Sequence, residues 1–489
     1  MDPVYQYDEV HSVSDLHFGG SPGFQVFNLG ATLAKLIDHL RQKPKGRRVA
    51  LVVNGDFVDF LAEQPSMHFD PDGAVRKLER IFGDPAFKPV WQAMRRYTRT
   101  PDRYLVVTLG NHDLELALPW VSERLLQELS GGNQSARGRV LLSFDGSGFL
   151  CGVGGRKLLF VHGNEVDTWN LCDYEHLRRI GRDLTQGKRV EGWEPNAGSK
   201  MVIEVMNGIK REYPFIDLLK PENEGAVPVL LAIDPKQARK IPQVLKVVGR
   251  RSWDAARRMA GFLSSGEGED APDGEAEMQR ILERSFTLSR NAADVDEMLD
   301  RVEERMASGE SAYAALDRDR EGEYLGIGGA IWKALSGAKK SEVVREAFEK
   351  LKQDVTFDLD HQDATFKDLD AQIGPEIDYV ITGHTHLERK IARGRGGGTY
   401  FNSGTWIRLM RLTEDLLDDP GEFERVFDLL GNSTMEDLDN FTYRAGGTDR
   451  PLVILKPAVV SIWEQGGRVE AELLRVDLTT GIPGPREED

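Results

Sequence analysis

Only two cysteines, Cys151 and Cys172, occur in 489 residues. That excludes a disulfide framework and fits a chain expected in the reducing cytoplasm. No run approaches the ~18 apolar residues of a membrane span. The opening Met1-Asp2-Pro3-Val4-Tyr5 has no basic region followed by an apolar one, so no signal peptide is expected. Positive charge is also scarce: 63 Lys and Arg stand against 80 Asp and Glu, a net charge of −17. This disfavours a general nucleic-acid binder, whose footprint is basic. It does not exclude a nuclease, because bound metal ions reverse the local charge. No internal repeat is found. Apolar residues make up 40% of the chain and charged residues 29%, so most of it should fold, with room for two to four domains.

What the chain does have is a recurring pattern: an apolar strand ending in a polar turn. Glu9-Val10-His11-Ser12-Val13-Ser14 leads to Asp15-Leu16-His17. Val49-Ala50-Leu51-Val52-Val53 leads to Asn54-Gly55-Asp56-Phe57-Val58-Asp59. Tyr104-Leu105-Val106-Val107-Thr108 leads to Gly110-Asn111-His112-Asp113, and Leu158-Leu159-Phe160-Val161 to His162-Gly163-Asn164. Leu33, Leu36, Ile37 and Leu40 recur at helical spacing between the first two, and a charged helical region follows around 75–96. Strand–turn–helix alternation predicts an α/β layered fold.

A fifth turn, Gly383-His384-Thr385-His386, ends the strand Tyr379-Val380-Ile381-Thr382 far downstream. Most of the interval reads as a helical insertion. Met201, Val202, Val205, Met206 and Ile209 fit one helix face, and Ile241, Val244, Leu245 and Val248 another. Residues 264–277 read as a flexible Gly-, Ser- and acid-rich linker. Charged helices are expected near 278–306 and 342–353. The expected organisation is a core over 1–170, a helical cap over 171–370 and a return to the core over 371–489. Residues 413–450 are acidic and poorly patterned, and the end from 478 reads as a loose tail.

Asp15, His17, Asp56, Asn111, His162, His384 and His386 offer imidazole nitrogen, carboxylate oxygen and one amide oxygen. That mixture suits Mn²⁺, Fe or Zn²⁺ better than Ca²⁺ or Mg²⁺. Five of the ten histidines lie in these turns. The set Asp-x-His, Gly-Asp-x-x-Asp, Gly-Asn-His-Asp, His-Gly and Gly-His-x-His, in this order, resembles the calcineurin-like metallophosphoesterase superfamily. The resemblance covers roughly 8–170 and 376–477. It implies a sandwich of two mixed sheets flanked by helices, here with a large helical cap insertion. It also implies a dinuclear metal centre, with Mn²⁺ the first expectation. Asp15, His17 and His386 would hold one ion, Asn111, His162 and His384 the other, and Asp56 would bridge them. Two cations about 3.5–4 Å apart clamp a phosphoryl group and lower the pKa of a bridging water, whose hydroxide attacks phosphorus. His112 would protonate the leaving group or stabilise phosphoryl charge. Asp59 would orient His112, with Asp113 the second candidate.

Ser/Thr protein phosphatases carry arginine after Gly-Asp-x-x-Asp and glutamate after Asn-His, where this chain has Phe60 and Asp113. The UDP-diacylglucosamine pyrophosphohydrolase branch is also similar, but usually has arginine at the position of His112 and tends to an acid at Asn164. The reading is therefore metal-dependent hydrolysis of a phosphodiester or pyrophosphate. A phosphomonoesterase, a UDP-lipid pyrophosphohydrolase and a non-catalytic metal-binding scaffold are the alternatives. Residues 234–258 carry eight basic residues (Lys236, Arg239, Lys240, Lys246, Arg250, Arg251, Arg257, Arg258) against two acids, interleaved with apolar ones. They suggest an anionic substrate or lipid surface, or a solvated helix face. Gly326-Ile327-Gly328-Gly329 follows no clear strand and reads as a helix or turn glycine cluster rather than a phosphate loop. Asn402-Ser403-Gly404-Thr405-Trp406 either lines the site or packs a tight turn.

Overall fold

The central strands owe their composition to burial on both faces. In the computed structural model, Val49–Asn54 lies between Glu9–Val13 and Arg103–Thr108, parallel to both. Ala50 and Val52 point to one side, with Val10 and Val106, and pack against Phe160, Ile381 and Phe401 of a second sheet. Leu51 and Val53 point to the other side, with Leu105 and Val107, and pack under helices through Leu33, Leu36, Trp91 and Met94. A parallel strand covered on both faces needs an unbroken apolar run, which is what this stretch supplies. The model describes residues 3–189, 192–210, 213–219, 341–342, 344–345, 358–410 and 413–486. Most of the cap expected over 171–370 lies outside these residues. So do the basic run 234–258, the linker 264–277, the helix expected at 278–306, the glycine cluster 326–329 and most of 342–353.

The larger sheet has seven strands, in the order Pro483–Gly484, Arg468–Val476, Ala458–Gln465, Glu9–Val13, Val49–Asn54, Arg103–Thr108, Val140–Ser143. The smaller has six: Tyr5–Tyr7, Phe149–Val153, Arg156–Phe160, Tyr379–Thr382, Thr399–Ser403, Glu388–Ala392. Both are mixed. Within each sheet the strands that end in the motif turns run parallel to one another: Glu9–Val13, Val49–Asn54 and Arg103–Thr108 in the larger, Arg156–Phe160 and Tyr379–Thr382 in the smaller. Helices Gly30–Arg41, Ala74–Gly83 and Lys88–Arg99 cover the larger sheet. The helical region expected around 75–96 is broken in two at Asp84-Pro85. Helix Ala364–Gln372 covers the smaller sheet through Phe366 and Leu369 against Val380 and Tyr400. The result is helix, sheet, sheet, helix, as expected for a metallophosphoesterase sandwich.

These layers make up one compact unit, 1–195, 355–409 and 453–489; a second unit comprises 196–354 and 410–452. In the second, Ala197–Ile209 is helical, with Met201, Val202 and Met206 buried. The acidic stretch 413–450 contains helices Glu414–Asp418, Pro420–Asn432 and Met435–Asn440, then the hairpin Thr442–Ala445 with Thr448–Pro451. It buries Leu416, Leu417, Phe423, Val426, Leu430 and Leu438, and local caps mark two of its helices. Asp419 accepts from the N–H groups of Gly421 and Glu422 ahead of Pro420 at the first turn, and Thr434 and Asp437 cap each other. The start of the segment expected as a loose tail is held in place: Thr32 donates to the Leu478 carbonyl at 2.8 Å.

Candidate metal centre

Each polar turn sits where a parallel strand stops. Asp15 and His17 follow Glu9–Val13, Asp56 follows Val49–Asn54, Asn111 and His112 follow Arg103–Thr108, His162 follows Arg156–Phe160, and His384 and His386 follow Tyr379–Thr382. Among the described residues six non-glycine residues have positive φ, and five of them are Asp15, His17, Asp56, His384 and His386. Such backbone costs about 1–3 kcal/mol per residue and persists where the surroundings impose it. The motif glycines have a steric reason. A Cβ on Gly110 would strike the Asp56 carboxylate, and one on Gly383 would strike Asp15 and Ser14.

The turns bring together three sets of side chains with ligand atoms mutually within 4.8 Å: Asp15, His17 and His386; Asp15, Asp56 and His162; His17, Asp59 and His112. Nε2 of His17 lies 3.3 Å from Nε2 of His386. Asp15 Oδ1 stands 3.4 Å from His386 Nε2 and 4.0 Å from His162 Nε2. Asp56 Oδ2 is 3.7 Å from His17 Nε2 and 3.2 Å from His162 Nε2, so it lies between these two imidazoles. His384 belongs to none of these sets. Its Nε2 meets Asp167 Oδ2 at 2.8 Å, and its ring centroid is 5.4 Å from that of His162. Its backbone N–H donates to both oxygens of Asp15 at 3.0 Å.

The donor set fits a divalent cation. Asn111 is buried, and its amide nitrogen donates to Asn170 Oδ1 at 3.4 Å. Its Oδ1 is buried with no hydrogen-bond donor, an arrangement that costs energy unless an electrophile faces the oxygen. His17 turns Nδ1 to Asp59 Oδ2 at 3.3 Å, and His162 turns Nδ1 to the Asn54 carbonyl at 2.9 Å. In both rings this leaves Nε2 to the centre. Such outer acceptors fix the tautomer of a ligating imidazole.

Electrostatics follow the crowding. Burial works against the ionised form of Asp56, but His162, His112 and His17 outweigh it and hold the carboxyl well below the usual range. Burial likewise opposes ionisation of Asp59, and His112 and His17 reverse that. Asp15 is pushed up by burial and by the charge of Asp56, against His162 and His17. Burial lowers His162, yet Asp56 and Asp15 carry it up to about 10.

Asp113, expected as a second orienting group for His112, sends its oxygens to backbone instead. They accept from Phe57 N at 2.8 Å and Gly110 N at 2.7 Å, tying two turns together. Burial and the Asp56 charge push this carboxyl up to about 8. The segment Asn402–Trp406 supports the turns from behind. Asn402 donates to the Gly383 carbonyl at 2.6 Å, Thr405 to the Asp15 carbonyl at 3.0 Å, and Trp406 is fully buried. Asp167, Asn170 and Asn54 were not singled out from the sequence. The only signal for Asp167 is an acid five residues after a motif histidine, too common to read alone.

Residues 10–212 match the family model for calcineurin-like phosphoesterases. A search of curated proteins found no match. The match supports the metallophosphoesterase superfamily for this stretch, and with it hydrolysis of phosphoric esters using divalent metal ions. No helix among the described residues is long and apolar enough to cross a membrane.

Proposed function

We propose that the chain hydrolyses a phosphodiester or pyrophosphate bond at a two-metal centre. Asp15, His17 and His386 would hold one cation, Asn111, His162 and His384 the other, and Asp56 would serve both. The observation that carries this reading is the convergence of five turns on one buried cluster, with Asn111 Oδ1 left without a donor. When bound, a cation pair supplies Lewis acidity toward the phosphoryl oxygens and an activated water. The chain's own contribution is placement and one proton. His112 is only partly buried, and its Nδ1 is 3.2 Å from Asp59 Oδ2. Asp59 would pair with the protonated ring through Nδ1, leaving Nε2 to face the leaving oxygen and give it a proton.

Mn²⁺ is the first choice for the pair, Fe or Zn²⁺ the second, on the mixed nitrogen and oxygen donors. Phosphomonoester hydrolysis is the second reaction, a UDP-linked lipid remains an alternative substrate, and the rival from another class is a non-catalytic scaffold. A cytoplasmic location, and contact of the basic run 234–258 with an anionic or lipid-bearing substrate, are part of the same proposal. The test is a panel of bis-p-nitrophenyl phosphate, p-nitrophenyl phosphate, nucleotides and UDP-linked lipids, each with Mn²⁺, Zn²⁺ and Fe²⁺. Diesters or pyrophosphates should turn over faster than monoesters. No turnover of any substrate with any metal favours the scaffold.

A further inference from the structure

We propose that Asp167 and Asn170 are positioning residues that orient two ligands of the second cation, His384 and Asn111, from one loop. The inference rests on the two-metal reading above. The strand Arg156–Phe160 delivers His162, and the chain then closes a series of turns before helix Tyr174–Thr185. Asp167 N–H bonds the Asn164 carbonyl at 3.3 Å, and Asn170 N–H bonds the Asp167 carbonyl at 3.1 Å. Asn164, fully buried, fastens this loop by donating to the Asn170 carbonyl at 3.2 Å. Asp167 Oδ2 accepts from Asn170 Nδ2 at 2.7 Å and from His384 Nε2 at 2.8 Å. A carboxylate at Nε2 requires the proton there, so the lone pair of His384 is on Nδ1. Asn170 Oδ1 in turn accepts from Asn111 Nδ2 at 3.4 Å, which leaves Asn111 Oδ1 to the centre. One carboxylate thus sets the tautomer of His384 directly and, through Asn170, the amide orientation of Asn111. His384 comes from the smaller sheet and Asn111 from the larger, so the loop coordinates groups that no single strand could.

The test is calorimetric titration of the full chain, stripped by chelator, with Mn²⁺. The parent should take up two ions. Asp167→Ala and Asn170→Ala should keep one ion at parental affinity and weaken the other about 10–100-fold, the usual cost of losing an outer partner of a metal ligand. Asp167→Asn keeps an acceptor oxygen and should fall between Asp167→Ala and the parent. Melting of the metal-free proteins should be alike. Should Asp167→Ala fail to fold, Asn170→Ala and Asp167→Asn carry the test. Parental titration in these variants overturns the inference. So does equal weakening of both ions with a lowered metal-free melting temperature, which marks a purely structural loop. A parent that takes up none of Mn²⁺, Zn²⁺ and Fe²⁺ overturns the two-metal reading itself.

Discussion

Asp59 presents one carboxylate oxygen to both His112 and His17: Oδ2 lies 3.2 Å from Nδ1 of the first and 3.3 Å from Nδ1 of the second. Its other oxygen accepts from Ala62 N–H at 2.9 Å, so the carboxylate cannot swing away cheaply. On the proposed roles of His112 and His17, a group in this position acts on the proton donor and on a metal ligand at once.

That sharing separates two variants. His112→Ala should keep its metal and lose turnover by about 10²–10⁴-fold, the range for a lost general acid. The loss should shrink for p-nitrophenolate, which needs little protonation. Asp59→Asn should lower turnover and weaken one metal as well, because His17 loses its charged partner. Steady-state kinetics on aryl and alkyl esters, with metal content measured in parallel, decide it. Equal losses for both leaving groups argue against the acid role of His112.

Asp56→Ala is expected to abolish activity and to lower metal content. Its Oδ2 lies between His17 and His162, and its Oδ1 accepts the His112 N–H at 2.9 Å. On the proposed assignment one carboxylate therefore serves both ions, and it also holds the turn that carries His112. Elemental analysis finding two full equivalents of metal in the variant contradicts the bridging assignment.

The strands and their turns were legible because burial on both faces forces continuous apolar runs, and because glycine is the only residue that fits beside Asp15 and Asp56. The supporting contacts were not. Asn54 is an unremarked polar residue at a strand end, yet it donates to the Val161 carbonyl at 2.9 Å and the Ile381 carbonyl at 3.1 Å and accepts from Thr108 at 2.9 Å. Its partners lie more than fifty residues away in the chain or much further, and no local period reports them. The helices after Thr413 were missed for other reasons: Glu414–Asp418 and Met435–Asn440 are too short to show a period, and the stripe of Pro420–Asn432, Phe423, Val426 and Leu430, is set among many acids.

Asn54 joins the ends of both sheets, so Asn54→Leu should be costly although it adds apolar volume. It takes the side-chain donor from the Val161 carbonyl and removes the buried Thr108 bond, while the Ile381 carbonyl keeps the Val161 N–H at 3.2 Å. A loss of about 1–3 kcal/mol is expected, the cost of leaving buried polar groups unsatisfied, measured by urea unfolding. Stability equal to the parent's says the sheets hold together without it.

The strand Glu9–Val13 carries a second buried polar group, away from the metal turns, with its own pH signature. His11 Nδ1 meets Ser461 Oγ at 2.8 Å, and Nε2 meets Glu9 Oε2 at 3.1 Å; Lys43 and Arg47 also pair with Glu9. Burial raises Glu9, but His11 and Lys43 outweigh it and bring the carboxyl from 4.5 down to about 2. Burial keeps His11 below its ordinary 6.5 against the pull of Glu9. Folding thus favours an ionised Glu9 and a neutral His11 that donates from Nε2 and accepts at Nδ1. Both contributions have the same sign. Each is complete above the group's unfolded value and is lost as pH falls through the folded one. For Glu9 the window runs from about 4.5 down to about 2. In Glu9→Gln the stability deficit relative to the parent should therefore be widest near neutral pH and should narrow across that window. Urea midpoints of both proteins at stepped pH measure it, and a gap that stays constant from neutral pH to acid shows that the glutamate's charge is not what the cluster uses.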